Sequence, residues 1–356
     1  MVGIILYGSF ELAPYSKMYM RILDDLGIQY DLIGWKREEK TEYTGENVFI
    51  YEGPAAKRFS SPTDKIKPAL GYRKYIMNII KNRNYDKLII LTTQTAVILA
   101  DMLLGKYKKK YIFDYRDKSY EYLKPYGMVI NGLIKSSAET VLSSPWFRTS
   151  LTKKKDYIIV HNFREELLKN KRESCEKKNP GERIIIGYTG ALRSYEYHKS
   201  LFDVFGSDSR FELHTYGCGD ECDRLYDYSC KFDNVFVYGA YSDSEKYEII
   251  YKFDMMLYNY PYSFVNDGAV ANKYYDSLLM KKPMIVNNKT KIGRFIEDNG
   301  LGVSIDESCG NAPEKVYEWY KSFDSEHLVK RCDELIEKYL EDNRAFEKRI
   351  RELFLK

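Results

Sequence analysis

Three glycine turns follow apolar runs in the second half of the chain: GYTGALR (187–193), YGCGDE (216–221) and VYGAYSD (237–243). Glycine lets the backbone approach a ligand closely, and N–H groups at the start of a following helix suit phosphate. None of the turns matches the dinucleotide fingerprint G-x-G-x-x-G. A phosphate cradle at Gly190, Gly217 and Gly219 therefore stands beside plain turn-making. Arg193 and Lys199 flank the first turn. Fixed cations there would meet the charge that develops on a departing diphosphate; a surface Arg and Lys is the plainer reading. Asp276 lies in the first turns of a helical segment, beside Asn272 and Lys273. A carboxylate so placed can take two ribose hydroxyls, although the helix dipole alone also favours it.

In the first half, Asp114, Asp117 and His161 are the acid–base candidates. Asp117 ends a strand and can orient an acceptor hydroxyl or take its proton. Its other reading is a salt bridge to Arg116 or Lys118. His161 stands at the crossing between the halves, where it would touch a sugar phosphate or serve as a hinge contact. No Ser or Cys sits in a nucleophile elbow, so a covalent nucleophile is not indicated. Cys218, Cys222 and Cys230 lack a fourth partner at zinc spacing, and no metal site is read.

The elements that must hold these residues alternate. Apolar runs 3–7, 28–35, 87–93, 110–117, 139–144 and 156–162 read as strands. Residues 16–26 read as a helix stopped by Gly27, and 94–104 as one stopped by Gly105. The charged stretch 164–183 ends in Asn-Pro-Gly and reads as a linker. Strands then recur at 183–190, 211–217, 234–239, 253–260, 283–288 and 302–306, with helices at 244–252 and 272–280. From Ser325 the pattern is helical, with an apolar stripe of Leu328, Cys332, Leu335, Ile336, Tyr339 and Leu340. Strand–helix alternation indicates parallel βαβ units. The expected fold is α/β: two doubly wound, Rossmann-like domains, with ligands beyond the carboxyl ends of the strands and in the cleft between two facing sheets.

The chain has 356 residues, 44% hydrophobic and 30% charged, which suits a soluble protein of about two domains. No apolar run approaches the ~18 residues of a membrane span, and the opening MVGIILYGSF reads as a strand rather than a signal peptide. Six sparse cysteines, Cys309 and Cys332 among them, suit free thiols in a reducing compartment. Charge is uneven. Residues 1–170 carry 28 basic against 19 acidic side chains, and residues 171–356 carry 28 against 33. The basic residues gather in two places: Lys65, Lys67, Arg73, Lys74, Lys81 and Arg83 on one helical pattern, and Lys106, Lys108, Lys109 and Lys110. A solvated helix face and loop is the bland reading; docking on an anionic membrane surface is the sharper one. No nucleic-acid motif is present, and the charge is local, so nucleic acid is not expected as a partner.

The series IIIGYTGAL, FELHTYGCG, NVFVYGAYSDSEKYEIIYKFDMMLYNY and ANKYYDSLLMKKPMIVNN, followed by IGRFIEDNGLGVSID, resembles the donor-binding domain of the family-4 glycosyltransferases of the GT-B fold. In the first half, FDYRD, ETVLSSPWF and YIIVHNF are similar to segments of the partner domain. The resemblance implies the boundaries 1–165 for an acceptor-side domain, 166–182 for a linker and 183–335 for a nucleotide-sugar-binding domain. It implies a C-terminal helix over 336–356 that can return to the first domain. Aligned on Lys282-Pro283, the second carboxylate of the family's E-x7-E motif falls on Asp276, the expected ribose ligand. The first falls on Gly268, a departure that the adjacent Asp267 could make good. Lys199 matches the position of the diphosphate-binding Lys. Ala191 occupies the usual Arg position, with Arg193 two residues on, so the resemblance ranks Lys199 above Arg193.

What this implies is a retaining, metal-independent hexosyltransferase. It would move a sugar from a nucleotide-diphosphate donor, bound as substrate with no cofactor, to a glycan or lipid-diphosphate-linked acceptor. The setting implied is cytoplasmic polysaccharide biosynthesis, such as capsule assembly, peripheral on the inner face of the membrane. A nucleotide-sugar epimerase of the same fold and a non-catalytic sugar-nucleotide-binding subunit are the alternatives.

Overall fold

A computed structural model describes residues 1–36, 43–54, 62–152, 156–163, 165–179, 181–306 and 310–355. The chain divides into two compact units. Met1–His161 with Asp342–Lys356 form the first, and Asn162–Glu341 the second.

The first unit is built on a seven-stranded parallel sheet. Its strands are β1 (Val2–Leu6), β2 (Tyr30–Trp35), β3 (Val48–Tyr51), β4 (Lys87–Leu91), β5 (Tyr111–Tyr115), β6 (Glu139–Leu142) and β7 (Ile158–Ile159), in the order β3-β2-β1-β4-β5-β6-β7. Helices α1 (Ser16–Asp25), α2 (Pro62–Arg83), α3 (Thr93–Ile98), α4 (Ala100–Leu104) and α5 (Lys124–Ser136) connect them. Every residue of β1 and β5 is buried, as a parallel sheet covered on both faces requires. The register pairs Ile4 with Ile89 and Ile90 with Phe113. Helix α1 ends where expected: Gly27 is left-handed at φ +64°, and the Ile28 N–H bonds back to the Leu23 carbonyl at 2.9 Å.

The second unit has six parallel strands: β8 (Ile184–Thr189), β9 (Phe211–Tyr216), β10 (Val235–Gly239), β11 (Met255–Leu257), β12 (Met284–Asn287) and β13 (Gly302–Ile305). Their order is β10-β9-β8-β11-β12-β13. Around them lie α6 (Tyr195–Phe205), α7 (Cys222–Ser229), α8 (Lys246–Tyr251), α9 (Asn272–Met280), α10 (Lys291–Asp298) and α11 (Ala312–Ser322). The strand order reverses between β8 and β11. Such a switch point leaves a crevice beyond the carboxyl ends of the two strands, where α/β sheets take ligands.

Helix α12 (Ser325–Leu355) ends the chain. Its stripe of Leu328, Cys332, Leu335, Ile336, Tyr339 and Leu340 is buried. Further along, Phe346 and Ile350 join the core of the first unit with Tyr19, Ile22, Leu23 and Ile89.

Several elements depart from expectation. The strand expected over 253–260 is only Met255–Leu257, because Tyr258 bonds to both Met256 and Ile285 carbonyls and the chain turns away. The strand expected over 156–162 is a two-residue ladder, Ile158–Ile159. The helix expected over 94–104 breaks at Leu99, whose backbone (φ −111°, ψ 13°) is not helical. The linker stretch contains a 3₁₀ turn at Glu165–Asn170, and Arg172 donates its N–H to the Leu279 carbonyl at 2.9 Å. Part of that stretch, Arg164 and Pro180, and also Cys309, lie outside the described residues.

Candidate functional site

Three strand-end turns stack against one another at the carboxyl edge of the second sheet. Gly190 follows β8 at φ +131°, and Gly217 follows β9 at φ +145°. Gly190 donates its N–H to the Tyr216 carbonyl at 2.9 Å, and Gly217 donates to the Gly239 carbonyl at 2.6 Å. A Cβ on Gly217 would sit 1.8 Å from the Gly190 carbonyl oxygen, and one on Gly219 would sit 2.3 Å from that of Leu192. Gly217 and Gly219 thus let backbone pack on backbone and hold the Gly190 turn in place. A Cβ on Gly190 would find only the end of the Lys273 side chain, at 3.8 Å.

That lysine is the most unusual group in the unit. It is the second residue of α9 and only 5% exposed. Its Nζ has no hydrogen-bond partner. Instead it lies 3.2 Å from the centroid of the Tyr188 ring and 4.9 Å from that of Tyr260. Burial pushes its pKa well below the ordinary lysine value, against the pull of the Asp276 charge. Ring faces attract a cation, yet less than an anion would. The N-cap position before α9 is Ala271, which supplies no side-chain cap to the first-turn N–H groups. An uncapped helix start and an unpaired ammonium so face the switch point of the sheet.

Asp276 lies one turn further along α9, on the same face as Lys273. It is 4% exposed. Lys246 Nζ lies 2.9 Å from its Oδ1, and the Tyr247 hydroxyl donates to the same atom at 3.1 Å. Among the described residues neither bond uses Oδ2. Burial raises the Asp276 pKa, while Lys246 opposes it. Lys246 and Tyr247 escaped the sequence analysis. The one signal for them was a basic residue opening a helix just after a strand-end glycine turn.

The other expected donor-side residues are distributed unevenly. Arg193 is exposed and makes no ion pair among the described residues. Its guanidinium acts on the hydroxyls of Tyr188 and Tyr260, the two rings that hold Lys273. Lys199 turns elsewhere: its Nζ is 2.7 Å from Asp203 on its own helix and 4.9 Å from the Tyr228 ring centroid. Asp267 accepts from the Lys291 N–H at 3.3 Å and pairs with its Nζ, at the start of α10, whose cap is Thr290. Asn272 accepts a hydrogen bond from Asn162. His198 lies behind the Tyr188 ring, edge to face at 5.0 Å, with its Nδ1 on the Ser194 carbonyl.

In the first unit, Asp114 is fully buried and paired with Arg116 at 2.7 Å, and it accepts from the Tyr19 hydroxyl at 2.9 Å. Arg116 also lies over the Tyr15 ring at 4.2 Å. These contacts occupy Asp114 and Arg116, and leave Asp117, which is exposed, as the accessible carboxylate beyond β5. Near it, Thr93 and Gln94 after β4 bond to Ser119 at 2.8 and 2.9 Å. His161 is buried; its N–H donates to Asn343 at 2.7 Å and its Nε2 lies 3.1 Å from Asp342, both on α12. Of the basic residues, Arg73 pairs with Asp101, Arg83 with Asp31, and Lys109 with the carbonyls of Lys135 and Ser137.

Among the described residues no cluster of His, Cys, Asp and Glu could hold a metal ion, and no helix is long and apolar enough to cross a membrane. The sequence matches no family model and no curated protein. Solved structures match over nearly the whole chain. Sucrose-phosphate synthase from Thermosynechococcus elongatus superposes with a TM-score of 0.71 at 12% identity, covering 99% of both chains. HepE from Anabaena, solved with UDP and glucose, gives 0.65 at 11% identity over 98% of each chain. WaaG, a glycosyltransferase involved in lipopolysaccharide biosynthesis, gives 0.63 at 10% identity over 99% of each. With its two parallel sheets and this likeness along its length, the chain has the GT-B fold.

Proposed function

We propose that this protein is a retaining glycosyltransferase using a nucleotide-diphosphate sugar. One observation carries the reading: a buried lysine, Lys273, has no hydrogen-bond partner and stands at an uncapped helix start beside Gly190. A buried cation without a partner is costly. A diphosphate at the mouth of the Gly190 turn would supply the missing anion.

In this reading, the acceptor oxygen forms a bond to the anomeric carbon as the bond from that carbon to the β-phosphate oxygen breaks. The electron pair goes to the diphosphate. Lys273, Arg193 and the start of α9 stabilise that charge. Asp276, whose Oδ1 is held by Lys246 and Tyr247, offers Oδ2 to the ribose. Asp117 is the acceptor-side carboxylate that takes or orients the hydroxyl proton. Positive charge from the protein does the work a divalent ion does elsewhere. The related fold of HepE, solved with UDP-glucose, supports a nucleotide-sugar donor. The basic first unit supports an anionic acceptor, a lipid-diphosphate-linked glycan, handled at a cytoplasmic membrane face during polysaccharide assembly.

The test is turnover. A panel of nucleotide sugars is incubated with the protein and an extract of lipid-linked acceptors, and released nucleoside diphosphate is measured. The anomeric configuration of the product is read by NMR coupling. Retention with acceptor-dependent release supports the reading. Release of nucleotide without any acceptor would instead identify an epimerase or hydrolase.

A further inference from the structure

The first unit carries a groove of about 940 Å³ on the flank between α2 and α4. Its floor is apolar, with Met77, Ile80 and Met102. Its rim carries Lys74, Lys81 and Lys106. Among the described residues none of these three ammonium groups takes part in an ion pair or hydrogen bond. Asp101 of α4 is already held by both Arg73 nitrogens at 2.9 and 2.7 Å. Residues four apart on a helix share a face. The row through Lys74 therefore continues to Leu70 and Ile66, which are 59% and 56% exposed. An apolar floor and a lysine rim, shared by α2 and the α4 end, thus lie beside two exposed aliphatic side chains of α2.

We infer that this face docks on a bilayer rich in anionic lipid, with one acyl chain in the groove and its phosphate on the lysine rim. The inference rests on the membrane-face part of the proposed function and names the surface responsible. Lysine stems can lie along the apolar floor while their ammonium groups stay at the headgroups. Ile66 and Leu70 enter the interface, adding apolar burial to the electrostatic attraction. A soluble polyanion would satisfy the rim but leave the apolar floor in water.

The experiment is co-sedimentation of the full chain with vesicles of phosphatidylcholine alone or mixed with phosphatidylglycerol. Binding is expected on the mixed vesicles only, weakening with salt. The triple variant Lys74→Glu, Lys81→Glu, Lys106→Glu should lower partitioning about tenfold or more. Ile66→Ser with Leu70→Ser should lower it too, while leaving the salt dependence unchanged. Short-chain phosphatidylglycerol should compete, and glycerol 3-phosphate should not. A circular-dichroism melt and the nucleotide-induced thermal shift of each variant establish that it is folded. Lys273→Met should bind vesicles like the wild type, so loss of the donor site and loss of the docking face read out separately. Absence of wild-type binding to anionic vesicles, or equal binding by the folded triple variant, would overturn the inference. Equal competition by glycerol 3-phosphate would also overturn it, leaving a phosphate site with no lipid tail.

Discussion

The Lys273 ammonium lies 3.2 Å from the centroid of the Tyr188 ring and makes no hydrogen bond. A charge held this way in the interior lowers the stability of the empty protein. Lys273→Met keeps the stem and removes the charge. It should raise the unfolding free energy by about 1 kcal/mol, measured by chemical denaturation without ligand. A substitution that stabilises the fold and removes donor binding marks a residue kept for its ligand. Burial has also lowered the Lys273 pKa. An arriving diphosphate reverses that shift, so binding should take up protons. Calorimetry across neutral to alkaline pH, in buffers of different ionisation enthalpy, measures the uptake.

Asp276 depends on Lys246 for a countercharge, at 2.9 Å. Lys246→Met leaves a buried carboxylate without its ion pair and should cost about 3 kcal/mol. The double variant with Asp276→Asn should recover part of that loss, giving a coupling of about 1–3 kcal/mol in the cycle. Asp276→Asn alone should weaken a nucleoside diphosphate about tenfold and leave inorganic diphosphate unaffected, because Asp276 is assigned to the ribose.

Two glycines separate packing from conformation. Gly217→Ala places a Cβ 1.8 Å from the Gly190 oxygen at φ +145°. It should cost about 2 kcal/mol or more and weaken diphosphate binding by displacing the Gly190 turn. Gly239→Ala meets nothing within 4 Å at φ +81°. It should cost only about 1 kcal/mol.

His198 gives a pH signature. It is buried against Tyr188, and burial holds its pKa below the ordinary imidazole value. The unfolded chain therefore takes a proton that the folded protein refuses. Stability should fall as pH drops below about 6.5, by up to about 1.4 kcal/mol per pH unit from this group. His198→Asn keeps a donor for the Ser194 carbonyl and should flatten that slope in denaturation measured across the window.

The strand-end turns were legible because a parallel strand, buried on both faces, is a continuous apolar run, and the glycines mark where it stops. Helix α9 was legible from its start at Asn272, and α12 from its stripe. The roles of Gly217 and Gly219 were not, since they pack against turns brought alongside only by the sheet. Lys246 and Tyr247 were hidden for the same reason, lying 30 and 29 residues from the carboxylate they hold. Lys199 was placed by its offset from a family position. Its partner Asp203, four residues on, is a local ion pair that a helix makes cheaply. Helix α5 was missed because Gly127, Gly132 and Pro125 interrupt its propensity while Ile130, Leu133 and Ile134 bury its inner face.

In the proposed mechanism Lys273 waits for a diphosphate. Isothermal titration of UDP and other nucleoside diphosphates into the wild type and into Lys273→Met tests it most directly. Binding to the wild type is expected, with a loss of about 10–100-fold in the variant and the variant at least as stable as the parent. Equal affinity in the two proteins, or no nucleotide binding to the wild type, would contradict it.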